Sequence, residues 1–237
     1  MKHMAKLAAL VGALVLATTA YAATITGSST ADTIVGTEQN DTISASGGDD
    51  IVLGLGGDDF IDAGSGDDTV RGDSTCPPGT GPGTGQSIAY CQTGGRPGND
   101  RIFGGSGQDT INGERGNDRI SGQGGDDQLR GDSGNDRIAG GDGQDTITGG
   151  NGRDFITGAG GDDNLGKAFG PGSNGEFGND IFSAGSGRDI VQAGRGNDVI
   201  RVRDGEVDRV NCGRGFDRVR ADRKDRIAKN CERVVRR

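Results

Sequence analysis

The sequence contains no tryptophan, and aromatic residues make up only 4% of its 237 positions. Hydrophobic residues of all kinds reach 30%. So little apolar material excludes an ordinary thick globular core, and composition alone would point to disorder. Histidine occurs once, as His3, so histidine triads, histidine zinc sites and histidine general bases are excluded from everything after it. The longest apolar run, Leu7 to Ala17, is too short to span a bilayer, which takes about 20 residues. No strand–helix–strand pattern surrounds the many Gly-x-Gly strings, which removes a nucleotide-binding fingerprint. EF-hand spacing is also missing. What is abundant is glycine, 49 residues, about a fifth of the chain where roughly 7% is usual.

Lys2 and Lys6 precede the Leu7–Ala17 run, and Ala20-Tyr21-Ala22 follows it. A positive start, a short apolar stretch and small residues at the last and third-last positions predict a secretory signal peptide over 1–22, cleaved after Ala22. The expected compartment is therefore extracellular. Four cysteines remain, Cys76, Cys91, Cys212 and Cys231, an even number suited to two disulfides in an oxidising environment.

The abundant residues are arranged with a strict period. Asp32, Asp41, Asp50, Asp59 and Asp68 stand nine apart, as do Asp100, Asp109, Asp118, Asp127, Asp136, Asp145, Asp154 and Asp163, and then Asp180, Asp189 and Asp198. Spacing loosens through Asp208, Asp217 and Asp225. Two residues after each aspartate comes a large apolar residue, from Ile34 to Ile227, without a polar exception. The best units, such as Gly140-Gly141-Asp142-Gly143-Gln144-Asp145-Thr146-Ile147-Thr148, read GGxGxDxUx, where U is a large apolar residue. A short strand x-U-x buries U and exposes its neighbours, and the six residues before it form a turn that needs glycine where φ is positive.

This pattern resembles the hemolysin-type calcium-binding nonapeptide repeats of the RTX family, from about Gly27 to Asp198. The resemblance implies an all-β fold, a parallel β-roll of stacked coils, each made of two nine-residue units, with calcium-binding turns. It also implies that calcium ions, several of them, sit between turns stacked eighteen residues apart. Their ligands would be sixth-position aspartates and backbone carbonyls: Asp41, Asp50, Asp59, Asp68, Asp100, Asp109, Asp118, Asp127, Asp136, Asp145, Asp154, Asp163, Asp180, Asp189 and Asp198. One edge would carry Asp100, Asp118, Asp136 and Asp154, the other Asp109, Asp127, Asp145 and Asp163. Asp41 would pair with Asp59, and Asp50 with Asp68. The turns before Asp32 and Asp41 are poor in glycine, so the first coil is expected to be a weak site or a cap.

The expected organisation is a first roll block at 23–73, an insertion at 74–95 stapled by Cys76 and Cys91, a second block at 96–165 and a short insertion at 166–175. A third block follows at 176–200, then a basic cap at 201–237 with Cys212 and Cys231 stacked within disulfide range. The stretch from Asp222 to Arg237 also fits a short amphipathic helix. Residues 199–237 carry a net charge of +6 against −9 for the whole chain, which leaves −15 on the remainder. Repulsion among those carboxylates predicts that folding is coupled to calcium. No stretch has room for a catalytic domain, so an enzyme is not expected. The expected role is that of a secreted, monomeric, structural or adhesive calcium-binding protein, with no nucleic-acid partner and no membrane span. The competing expectation is a calcium-dependent binder of an acidic cell-wall or extracellular polysaccharide, through its flat sheet or its basic end. Arg101, Arg119 and Arg137, at one strand position eighteen apart, are the candidate column on that sheet.

Overall fold

The computed structural model describes residues 21–73, 97–166 and 178–237, together with the backbone of a short strand at Leu14–Leu16. Each nine-residue unit becomes one turn and one strand. In Arg137–Asp142, Arg137 points outward, Ile138 is buried, and the following glycines begin the next turn. Alternation of this kind sends U inward because successive side chains of a strand face opposite ways.

Consecutive strands go to opposite sheets, so each pairs with the next but one. Among the described residues this gives two sheets of eleven strands, all parallel and all in register. Ile120 lies beside Ile102 and Ile138, one coil away on either side. The insertions do not disturb this register: Ile61 pairs with Ile102 and Ile156 with Phe182. Both leave the roll at a turn. The neck of the first is closed by Asp73, whose two carboxylate oxygens accept the Gly98 N–H at 2.9 and 2.8 Å. The segment 74–95, with the expected Cys76–Cys91 pair, lies outside the described residues, as does all of 166–175 except Gly166.

The main core is a column one U residue deep from each sheet, with a second small cluster of Val35, Leu53 and Leu55 in the first block. Ile34, Ile43, Val52, Ile61, Val70 and their counterparts through Val219 are all buried, and Ile227 is partly so. A fully buried aliphatic side chain contributes roughly 1.5–3 kcal/mol. One such residue in nine leaves the turns to supply much of the rest. Backbone geometry is correspondingly tight there. Gly134 has φ +149°, and a Cβ at that position would sit 1.5 Å from the Gly116 carbonyl oxygen of the preceding coil. Gly134→Ala should therefore destabilise the calcium-loaded roll by about 2–3 kcal/mol in urea unfolding. Gly160→Ala is the control, since nothing comes closer than 3.6 Å to a Cβ there, and it should shift stability by no more than about 0.5 kcal/mol.

The basic end completes the same sheets. Arg209–Asn211, Arg218–Ala221, Arg226–Ile227 and Arg233–Arg236 are strands, and the helix that also fitted 222–237 does not form. The reason is register: Ile227 stacks on Val210 and Val234 on Val219, each on its own sheet. Cys212 and Cys231 are disulfide-bonded across one coil, with Cα atoms 5.3 Å apart. No helix among the described residues is long and apolar enough to cross a membrane. The Leu14–Leu16 strand pairs with Thr33–Val35 and falls inside the stretch expected to be cleaved.

Candidate metal centre

The turns stack into two rims, and each rim is threaded by one line of aspartates. From the second coil onward each sixth-position aspartate accepts, through Oδ1, the main-chain N–H of its counterpart one coil earlier; Asp41 Oδ1 takes the Ala23 N–H, and Asp32 Oδ1 is buried without a partner. On one rim Asp59 N–H donates to Asp100, Asp100 to Asp118, Asp118 to Asp136 and Asp136 to Asp154, each at 2.8 Å. The line runs back to Asp41 and onward through Asp180, Asp198 and Asp217. On the other rim Asp32, Asp50, Asp68, Asp109, Asp127, Asp145, Asp163, Asp189, Asp208 and Asp225 are joined in the same way. The structure therefore brings together the aspartates that the eighteen-residue spacing pairs, and carries each line across both insertions.

The second carboxylate oxygen has no such partner. Oδ2 is buried without a hydrogen bond in Asp50, Asp59, Asp68, Asp100, Asp109, Asp118, Asp127, Asp136, Asp145, Asp154, Asp163, Asp180, Asp189 and Asp198, and also in Asp208 and Asp217. A buried carboxylate oxygen left unpaired is costly unless something cationic meets it. Asp41 differs, because Thr37 donates to both its oxygens, from its N–H at 2.5 Å and its hydroxyl at 3.0 Å. Ser28 does the same for Asp32 Oδ2, at 2.6 and 2.9 Å. In the first coil, then, hydroxyl residues satisfy oxygens that stay orphaned elsewhere.

Glycine makes room for those orphans. The first residue of the Asp136 turn is Gly131, and a Cβ there would lie 2.2 Å from Asp136 Oδ2 and 2.7 Å from the Gly149 carbonyl oxygen of the next coil. Gly54, Gly104, Gly122 and Gly140 repeat the arrangement with Asp59, Asp109, Asp127 and Asp145. In the same turns, the carbonyl oxygens of the second and fourth residues point at the following coil, as Gln123 does toward Gly141 and Gly125 toward Gly143. Each space between two such turns is lined by carboxylate and carbonyl oxygens. Among the described residues no three His, Cys, Asp or Glu side chains converge, so an ion there would draw much of its shell from the main chain. An all-oxygen donor set with many carbonyls suits a hard cation that accepts six to eight ligands, which is calcium.

Burial shifts the titration of these groups upward. Asp59 is pushed up to about 9 and Asp100 to about 8, with neighbouring carboxylates adding to the effect and the donated backbone N–H opposing it. Asp136, Asp163 and Asp180 rise to about 7 for the same reasons. Bound calcium would reverse this, because a cation favours the charged form.

Two participants escape the nonapeptide pattern. Glu232 ends one line, its Oε2 accepting the Asp217 N–H at 2.8 Å. Asp73, at the second position of its turn, has its carboxyl raised to about 7 by burial and by Asp118 and Glu114. The spacing signal fails for both: Asp73 is not at a sixth position, and Glu232, although two residues ahead of Val234, is a glutamate out of step with the nine-residue period.

Parallel coils with oxygen-lined turns at both rims define the protein as a β-roll with metal-binding turns. The RTX calcium-binding nonapeptide repeat matches residues 26–61, 46–74, 94–129, 130–165 and 174–206. These stretches cover more than half of the chain, which belongs to that family, and the cofactor of its repeats is calcium, bound as several ions. Among curated proteins no relative matches the chain.

Proposed function

We propose that the chain is a secreted structural or adhesive protein whose roll folds on extracellular calcium, held by the sixth-position aspartates. The observation that carries this is the orphaned Oδ2 repeated coil after coil beside a glycine that leaves space for an ion. Secretion rests on the Lys2/Lys6, Leu7–Ala17 and Ala20-x-Ala22 pattern, and the exported chain should begin at Ala23. The turns are not equivalent in this reading. Glycine opens those of Asp59, Asp100, Asp109, Asp118, Asp127, Asp136, Asp145, Asp154 and Asp163. Asp50, Asp68, Asp189 and Asp198 instead follow Ala45, Ala63, Ala184 and Ala193 in the first position, and those methyl groups are fully buried. These four turns, and that of Asp41, are expected to hold calcium weakly or not at all.

Counting bound ions by native mass spectrometry tests both parts. The glycine-opened turns should account for the ions retained, Asp136→Asn should lose at least one, and Ala184→Gly with Ala193→Gly should gain up to two. A count unchanged by either variant would remove the site assignment.

A further inference from the structure

The outward face of the sheet that contains Arg101–Ser106 carries an unusual column. Arg119 lies beside Arg101 on one side and Arg137 on the other. Phe60 precedes the three and Phe155 follows them in the same register. Both rings are exposed, at 38% and 42%. Arg101 sits over two aromatic rings, its Cζ 5.1 Å from the Phe103 centroid and 5.8 Å from that of Phe60, an attraction that keeps the guanidinium beside them.

These arginines are not matched internally. Among the described residues none of the three makes an ion pair, whereas Arg71 and Arg130 on the other sheet face Glu114 at 4.0 Å and Asp132 at 3.6 Å. Across the five strands from Phe60 to Gly160, the exposed carboxylates are two, Asp62 and Asp142, the latter at the turn end of its strand and away from the arginine column. The corresponding column of the opposite sheet is neutral, with Thr69, Thr110, Gln128, Thr146 and Asn164. An acidic protein has thus placed its carboxylates on the rims and left one face with a straight row of cations between two aromatic rings.

We propose that the column from Phe60 through Arg101, Arg119 and Arg137 to Phe155 binds a linear uronate-bearing polysaccharide. Parallel strands set the cations about 4.8 Å apart, a step close to the advance of one pyranose ring along an extended chain. Guanidinium groups recognise carboxylates through paired N–H donors. The two phenylalanines offer flat apolar faces to the sugar rings at the ends of the row. A duplex nucleic acid fits poorly, because its phosphates wind away from a straight line.

The test uses the full chain in saturating calcium and a short oligogalacturonate that stays soluble there, with binding followed by calorimetry and the fold by circular dichroism. Arg101→Gln, Arg119→Gln and Arg137→Gln together should weaken binding by at least about tenfold with the β spectrum unchanged. Arg218→Gln, Arg220→Gln and Arg233→Gln, on the same sheet near its end, should change it less than about twofold. If the first triple variant loses β structure, Arg119→Gln alone must still weaken binding. The proposal is overturned if that triple variant, or Arg119→Gln in its stead, binds like the parent. It also fails if the C-terminal variant abolishes binding, or if a single-stranded oligonucleotide of equal charge binds as tightly as the sugar. The column depends on the fold and not on the ion. A roll that survives chelation would still have to bind, so failure of the calcium reading is separable from failure here.

Discussion

Addition of a chelator to the calcium-loaded chain will abolish its β-sheet circular dichroism in one cooperative step, and millimolar calcium will restore it. The expectation follows from what each coil contributes. Most units bury one large apolar side chain, while from Asp50 to Asp217 each described unit also buries a carboxylate with one oxygen unpaired. With the ions gone, those carboxylates stack on one another along both rims and repel. An ion present at a hundred times its dissociation constant stabilises the folded form by about 2.7 kcal/mol per site. Several such sites together match or exceed the whole stability of an ordinary domain, about 5–15 kcal/mol. Magnesium should not substitute, because it demands near-octahedral geometry and sheds water reluctantly. A β spectrum indifferent to chelation would show that the aspartate lines stand without metal.

Acid should rescue what chelation destroys. In the calcium-free roll, burial raises Asp59 to about 9, Asp100 to about 8 and Asp136, Asp163 and Asp180 to about 7, from an ordinary value of 3.8. The folded form therefore binds more protons than the unfolded form throughout that interval, and its stability falls as pH rises. The stabilisation is complete below the unfolded value of 3.8 and is lost as pH climbs through about 7 to 9. A metal-free sample should show β structure near pH 4 that disappears toward neutrality. In calcium the dependence reverses, since the ion displaces those protons and its apparent affinity rises with pH. Circular dichroism across pH with and without calcium measures both limbs. Metal-free chain that stays unfolded at pH 4 would contradict the burial of these carboxyls.

The architecture was legible because one period encodes both layers. An aspartate two residues ahead of an apolar residue, repeated every nine, fixes the strand, the inward side chain and the rim on which the carboxylate falls. The pairing of Asp59 with Asp100 across an insertion was not legible in this way, since their separation is not the eighteen-residue step and only the stacked strands bring them together. Other features stayed hidden for physical reasons. The N–H to Oδ1 chain depends on the direction of main-chain groups, which a residue pattern does not record. Glu232 serves as an aspartate only because a longer side chain reaches the same N–H. The N–H and hydroxyl groups of Ser28 and Thr37 satisfy Asp32 Oδ2 and Asp41 locally, in turns whose lack of glycine marked them only as weak. The C-terminal alternation of Ile227 and Val234 also fits a helix, and only the neighbouring strands decide between the two.

The direction of the backbone bonds has a mechanical consequence. All strands are parallel and every interstrand bond links one coil to the next, so the bonds lie along the long axis of the molecule. Tension applied between the two ends loads them one coil at a time, like a zipper and not like a sheet in shear. Each eighteen-residue coil that peels away would release about 60 Å of extended chain, and calcium could re-form it when the load falls. A protein anchored at one end would then act as an extensible tether, its yield force set by the concentration of an ion in the medium.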